Sequence, residues 1–176
     1  MKHINLLMLD KTFIFDSNFL SKESVKNYLG LEDLKSQELL TINKLCKLLK
    51  KEKCNHNLFE NYYLNHQIAQ VEGKFDLLKI GTKSIINIEL ESQNSDNFTL
   101  LKQLEKNYYY LSFLKKKVHC YAFINTHFYT KIFYYKKNTK TLQEVEISHL
   151  SHILERMEDD SEEIFDENNK LILNLT

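Results

Sequence analysis

From Phe75 to Ile80 and from Ile85 to Glu91 the chain carries two short apolar-rich runs, the second alternating strictly, with Gly81-Thr82-Lys83-Ser84 between them. A period of two predicts paired strands over 75–80 and 84–91, joined by that four-residue turn. Strand side chains alternate faces, so Ile86, Ile88 and Leu90 point one way and Asn87, Glu89 and Glu91 the other. Upstream, two apolar runs around Asp10-Lys11 predict a terminal hairpin, or a strand followed by an irregular segment. From Ser21 the spacing becomes helical: a short helix to Tyr28 stops at Gly30, and Leu31, Leu34, Ile42, Leu45, Cys46 and Leu49 line an amphipathic helix. Asn55 to Asn57 mark a turn, and a second helix is expected over 58–71 with Glu60, Leu64 and Ile68 on its face. After a polar loop, Ser95 or Asp96 caps a helix over 97–114, whose stripe is Leu100, Leu101, Leu104, Tyr108, Leu111 and Leu114. Residues 118–125 are apolar on both faces, the mark of a central strand. Further strands over 129–135 and 142–147 flank a Lys-rich turn, and a last helix runs from His149 to Met157 behind Ser148.

This order predicts an α/β fold in which a central mixed sheet is flanked by helices. With 176 residues, one domain is expected: a helical N-terminal extension over 1–56, a core over 57–157 and an acidic tail over 158–176. Hydrophobic residues at 43% and charged residues at 27% exclude a disordered chain. Lys+Arg and Asp+Glu balance at 24 each, which argues against a global basic footprint for nucleic acid and leaves only local clusters at 47–53, 115–117 and 136–140. Three scattered cysteines make no disulfide framework, and Cys46 and Cys120 read as core thiols. Cys54-Asn55-His56 lacks the partner pair that a zinc site needs. With no signal peptide and no apolar run near the ~18 residues of a membrane span, a cytoplasmic protein is expected.

The chemistry concentrates in the paired strands. Asp76 sits where the hairpin brings it near Glu89, with Glu91 two residues on. Like charges a few Å apart raise each other's pKa, and a divalent cation relieves them. The alternative is a solvated acidic face, but neither strand offers a row of Lys or Thr to pair with those acids. His66, mid-helix on this reading, and His119, in a core strand, read as structural.

The order helix, strand, strand, helix, strand, strand, with acids on the paired strands, resembles the PD-(D/E)XK nuclease superfamily over residues 57–135. Phe75-Asp76 matches the aspartate position, and Ile88-Glu89-Leu90-Glu91 matches the (D/E)-X-K position, with Glu91 where the motif has Lys. Some restriction enzymes of the superfamily tolerate Glu or Gln there, and Gln93 or Lys102 could stand in. An I-E-x-Q branch, that of transposase-associated nucleases, would match Ile88-Glu89 and meet Glu91 in place of Gln. The resemblance implies a restriction-endonuclease-like, αβββαβ-type core. It implies Mg²⁺ or Mn²⁺ on Asp76 and Glu89, with the Leu90 carbonyl and a helix acid, Glu60 or else Glu72, as further ligands. Glu91 would be a third acid or accept the attacking water's proton. Lys102, Gln103, Lys106 and Tyr108 would meet the substrate, with Lys115 to Lys117 as further donors. His66 as a metal ligand, as in cap-snatching viral endonucleases of the superfamily, is a variant of the same picture. The implied activity is hydrolysis of phosphodiester bonds by an endonuclease or exonuclease. The implied partner is nucleic acid, DNA foremost and RNA as the alternative, with no membrane and with room for a homodimer. The rival expectation is a catalytically inactive nuclease-like domain that recognises DNA or protein, suggested by the missing Lys, the neutral charge and the acidic tail.

Overall fold

The computed structural model describes residues 3–9, 35–52, 55–67, 74–93 and 95–157. Among them, six strands form one mixed sheet in chain order: β1 (Tyr62–Gln67), β2 (Lys74–Ile80), β3 (Ser84–Glu91), β4 (Lys117–Asn125), β5 (Thr130–Lys136) and β6 (Thr141–Val145). Only β3 and β4 are parallel, and the crossover that this step requires is α2 (Asn97–Ser112). Asp96 is its cap, accepting from the backbone N–H groups of Phe98 and Thr99 at 3.0 and 2.9 Å. Two other helices, α1 (Ser36–Glu52) and α3 (Ile147–Glu155), cover the opposite face. No helix among the described residues is long and apolar enough to cross a membrane.

The alternation of β3 sets this three-layer arrangement. Ile86 and Ile88 pack with Leu39, Ile42, Leu45 and Leu49 of α1 and with Leu150 and Leu154 of α3. Ile85 turns the other way, with Leu78, Cys120 and Ala122, against Leu100, Leu104 and Leu111 of α2. β4 is buried on both faces between β3 and β5, as its unbroken apolar run implies. α1, within the first 56 residues, is thus part of the core.

Three expectations need correction. The described part of the expected helix, residues 58–67, is not helical: His56–Phe59 is a single 3₁₀ turn, and Tyr62–Gln67 is the strand β1. Asn61 and Asn65 sit at φ 61° and 46°, outside the right-handed helical region, and the Tyr62-Tyr63 pair favours a pleated surface. The last helix begins at Ile147 behind Glu146, which makes no side-chain cap bond, so Ser148 lies inside the helix. Near the start, Ile4 forms an antiparallel bridge with Tyr62 and residues 6–9 make a helical turn. The expected helix at 21–28, Gly30, Cys54, Ile68, Glu72 and the acidic tail lie outside the described residues.

Lys79 of β2 is 1% exposed, and its ammonium donates to the carbonyls of Asn57 and Glu60 at 2.6 and 2.8 Å while lying 5.3 Å from the Tyr62 ring centroid. It ties the 3₁₀ turn to the sheet. Lys79→Ala leaves two carbonyls unmet and a void in place of the stem, so a loss of about 3 kcal/mol is expected from urea midpoints. An unchanged midpoint would contradict this role.

Candidate functional site

Leu78 pairs with Asn87 and Leu77 with Ile88, and one further step of this register sets Asp76 opposite Glu89. The backbone ladder stops there. Asp76 Oδ2 instead accepts the Leu90 N–H at 2.8 Å, so a side chain takes the place of a backbone carbonyl where the strands part. In an extended strand a residue's N–H and C=O point to the same side, so the Leu90 carbonyl faces the same gap.

Glu89 is 1% exposed and points at α2. Its Oε1 accepts from Asn87 Nδ2 and Asn107 Nδ2, both at 2.8 Å, and its Oε2 accepts from Gln103 Nε2 at 2.6 Å. Gln103 and Asn107 are one helical turn apart, which puts both amides over the same strand position. Burial first and the Asp76 charge second raise the Glu89 carboxyl to about 8, against the opposing hydrogen bonds of the Asn87 and Gln103 amides and the Asp76 backbone. Burial likewise lifts Asp76 to about 6; the Leu90 N–H lowers it, Glu38 and Glu91 raise it, and Lys35 lowers it. Both acids therefore hold protons more readily than ordinary carboxylates.

The other expected site residues divide. Glu91 is half-buried, accepts Ser95 Oγ at 2.9 Å and lies within electrostatic reach of Asp76. Gln103 joins the cluster. Glu60 does not: it precedes Tyr62, which pairs with Lys79, so it belongs to the far end of β2, roughly 15 Å from Asp76 at ~3.3 Å per residue. Its expected place rested on a helix that is a strand. Lys102 is exposed, paired with Glu105 at 3.1 Å and set 5.7 Å from the Phe98 ring, and Lys106 and Gln93 are exposed too. Tyr108 packs on Tyr135 with ring centroids 5.5 Å apart. His66 belongs to β1, opposite Phe75, and burial lowers its pKa. Burial also lowers His119 to about 4, and its Nδ1 lies 3.3 Å from the Tyr134 hydroxyl.

Three contributors were not anticipated. Asn107 had a signal, since a polar residue stood at position 107 of a helix whose residues 100, 104 and 111 are core leucines. Glu38 and Lys35, at the start of α1, had none: only the packing of α1 on the sheet brings them to Asp76. On the α1 side of the sheet, α1, the β3–α2 loop and the β4–β5 turn line a cleft of about 290 Å³, with Gln37, Lys44, Lys47, Ser92, Thr126 and His127 around it. Gln37 adjoins Glu38 and Ser92 adjoins Glu91 in sequence, while Asp76 and Glu89 themselves do not line the cleft. Phe128, 95% exposed, stands beside it on the turn.

Among the described residues, no three His, Cys, Asp or Glu side chains are gathered closely enough to hold a metal ion by themselves. Two carboxylates facing one gap are nonetheless a donor set that suits Mg²⁺, which takes one or two carboxylates and keeps water in its other positions. The raised pKa values come chiefly from burial, with neighbouring carboxylates adding to it, and a dication would offset both costs.

Comparison with family models found no match, and searches of curated proteins and of solved structures found none either.

Proposed function

We propose that this protein is a metal-dependent nuclease that hydrolyses phosphodiester bonds of nucleic acid, DNA foremost, at Asp76 and Glu89. The observation that carries the reading is the opposition of a buried carboxylate, Glu89, and a half-buried one, Asp76, across a gap in the β2–β3 ladder. A cleft lined by two lysines and a histidine lies on the α1 side, where β3 and β4 end. The order α-β-β-β-α-β from α1 to β4 supports a restriction-endonuclease-like arrangement of the PD-(D/E)XK kind. Asp76, Glu89 and the Leu90 carbonyl would hold Mg²⁺ or Mn²⁺, which supplies an activated water and charge neutralisation at the phosphate. Gln103 and Asn107 fix the Glu89 carboxylate, and Leu90 N–H fixes Asp76, so neither must reorganise during the reaction. Glu91, at the position where the motif has Lys, is placed to accept a proton from water. Lys44 and Lys47 would draw the phosphate into the cleft. Incubation of the chain with labelled single- and double-stranded DNA and RNA in millimolar Mg²⁺ or Mn²⁺ is the direct test, and absence of cleavage of all of them would sink the reading.

A base laid on Phe128 would account for a fully exposed aromatic ring at the cleft, since stacking is worth about 1–3 kcal/mol per base. Phe128→Ala should therefore raise KM by about tenfold with kcat unchanged. Steady-state cleavage kinetics check this, and an equal fall in kcat with KM constant would count against stacking.

One observation favours a second reading, a nuclease-like domain that binds without cutting: Glu89 already receives three amide hydrogen bonds. On that reading the acids form a polar core, and millimolar Mn²⁺ leaves the melting temperature where it was.

A further inference from the structure

Two lysine clusters that are separate in sequence meet at the other end of the sheet. The Tyr121–Tyr134 pairing of β4 with β5, continued four residues, sets Lys117 beside the β5–β6 turn, where Lys136 and Lys137 lie. There a cavity of about 680 Å³ is lined by Lys116, Lys117, Lys136 and Lys137 together with Tyr108 and Tyr135, and no carboxylate lines it. Lys116 Nζ is fixed by the Gly81 carbonyl at 2.7 Å, and Lys137 Nζ lies 5.4 Å from the Tyr108 ring centroid. Four ammonium groups around one concave surface repel one another unless an anion enters.

The surroundings are less neutral than the whole chain. Residues 158–176 contain seven of the 24 acids and one of the 24 Lys and Arg, so residues 1–157 carry a net charge of +6. Lysines gathered on a concave surface suit the backbone of a nucleic-acid strand, whose phosphates meet the ammonium groups, while Tyr108 and Tyr135 pack on each other and shape the floor. We propose that this cavity is a second nucleic-acid contact, which anchors the backbone phosphates of a strand away from the carboxylate pair. Ser84 pairs with Lys117 and Glu89 with Ala122, so the two places are five residues apart along the sheet, roughly 16 Å at ~3.3 Å per residue. At that distance the lysines do not touch reacting atoms, and their loss acts on binding alone.

The inference goes beyond the nuclease reading and is tested without it. Fluorescence anisotropy of the full chain with a labelled 20-nucleotide single strand, in EDTA and at several salt concentrations, measures affinity where no cutting can occur. Lys136→Glu with Lys137→Glu, both exposed turn residues, should weaken binding by about tenfold and make the log–log salt dependence shallower by about 1.4. The same charge change at Lys50 and Lys51 on the end of α1, outside the cavity, should cost less than about threefold. Lys136→Gln with Lys137→Gln, which reverses no charge, should fall between the two. Equal losses from the cavity and the α1 variants, or an unchanged salt slope, overturn the proposal. Preserved binding by the wild-type chain without cleavage in Mn²⁺ would remove the nuclease reading and leave this one standing.

Discussion

Asp76→Asn and Glu89→Gln should each lower metal-dependent cleavage by about 10³-fold or more, with the fold retained. The size follows from the role proposed for the acids: a cation held by two carboxylates would stabilise the transition state by several kcal/mol, and each 1.4 kcal/mol is about tenfold in rate. Removal of one ligand from a two-carboxylate site takes away most of that contribution. The two substitutions differ in their structural cost. Asp76→Asn can offer its carbonyl oxygen to the Leu90 N–H, so the junction where the strands part is kept. Glu89→Gln places an amide among three amide donors: with its nitrogen at the Oε2 place, Gln103 alone must turn its carbonyl toward the new N–H₂, while the oxygen keeps accepting from Asn87 and Asn107. Circular dichroism and melting in EDTA separate loss of function from loss of fold. Asn107→Ala is the informative companion: it leaves both acids in place but frees one side of Glu89, and a fall in rate of about tenfold, smaller than for the acids, is expected. Full activity in Glu89→Gln would remove Glu89 from the chemistry.

The β2–β3 hairpin and its acids were legible because both signals are local. A period of two, interrupted by a four-residue turn, fixes faces and register together, and the register alone brings Asp76 opposite Glu89. Asp96 as a cap and 118–125 as a doubly buried strand were readable for the same reason. The segment 58–71 misled because Glu60, Leu64 and Ile68 are spaced like a helix face. What decides it is non-local: Tyr62, Leu64 and Lys79 are buried only because β2 pairs with β1. Glu60 was lost from the site with that helix. The contribution of α1 was illegible for a related reason, since nothing in Lys35 or Glu38 says which strand end their helix will cross. Lys102 and Lys106, expected as local basic donors to a substrate strand, lie on the exposed side of α2, while Gln103 and Asn107 of the same helix reach Glu89.

The stability of the metal-free chain should fall as pH rises from 6.5 to 8. A carboxyl raised by burial keeps its proton in the folded state after the unfolded chain has released it, so its contribution is complete below the ordinary Glu value and disappears as pH climbs through the folded value. For Glu89 that window runs from about 4.5 to about 8, and for Asp76 from about 3.8 to about 6. The histidines act in the opposite sense: burial lowers His66, His119 and His149, so their contribution is lost as pH falls below the ordinary value of 6.5. About a unit above 6.5 the histidines are mostly neutral in both states and Asp76 mostly ionised in both, which leaves Glu89 as the main group among these that still titrates differently on folding. Glu89 alone gives a slope of up to about 1.4 kcal/mol per pH unit, and with the histidines opposing it near 6.5 a net fall on the order of 1 kcal/mol across the window is expected from urea unfolding in EDTA. Glu89→Gln should be flat there. Added Mn²⁺ should reverse the sign, because a cation competes with the proton and binds more tightly as pH rises, with proton release visible as a buffer-dependent heat of binding. A metal-free chain as stable at pH 8 as at pH 6.5 would mean that Glu89 is already ionised among its three amides, and the pressure toward a cation inferred from its burial would be gone.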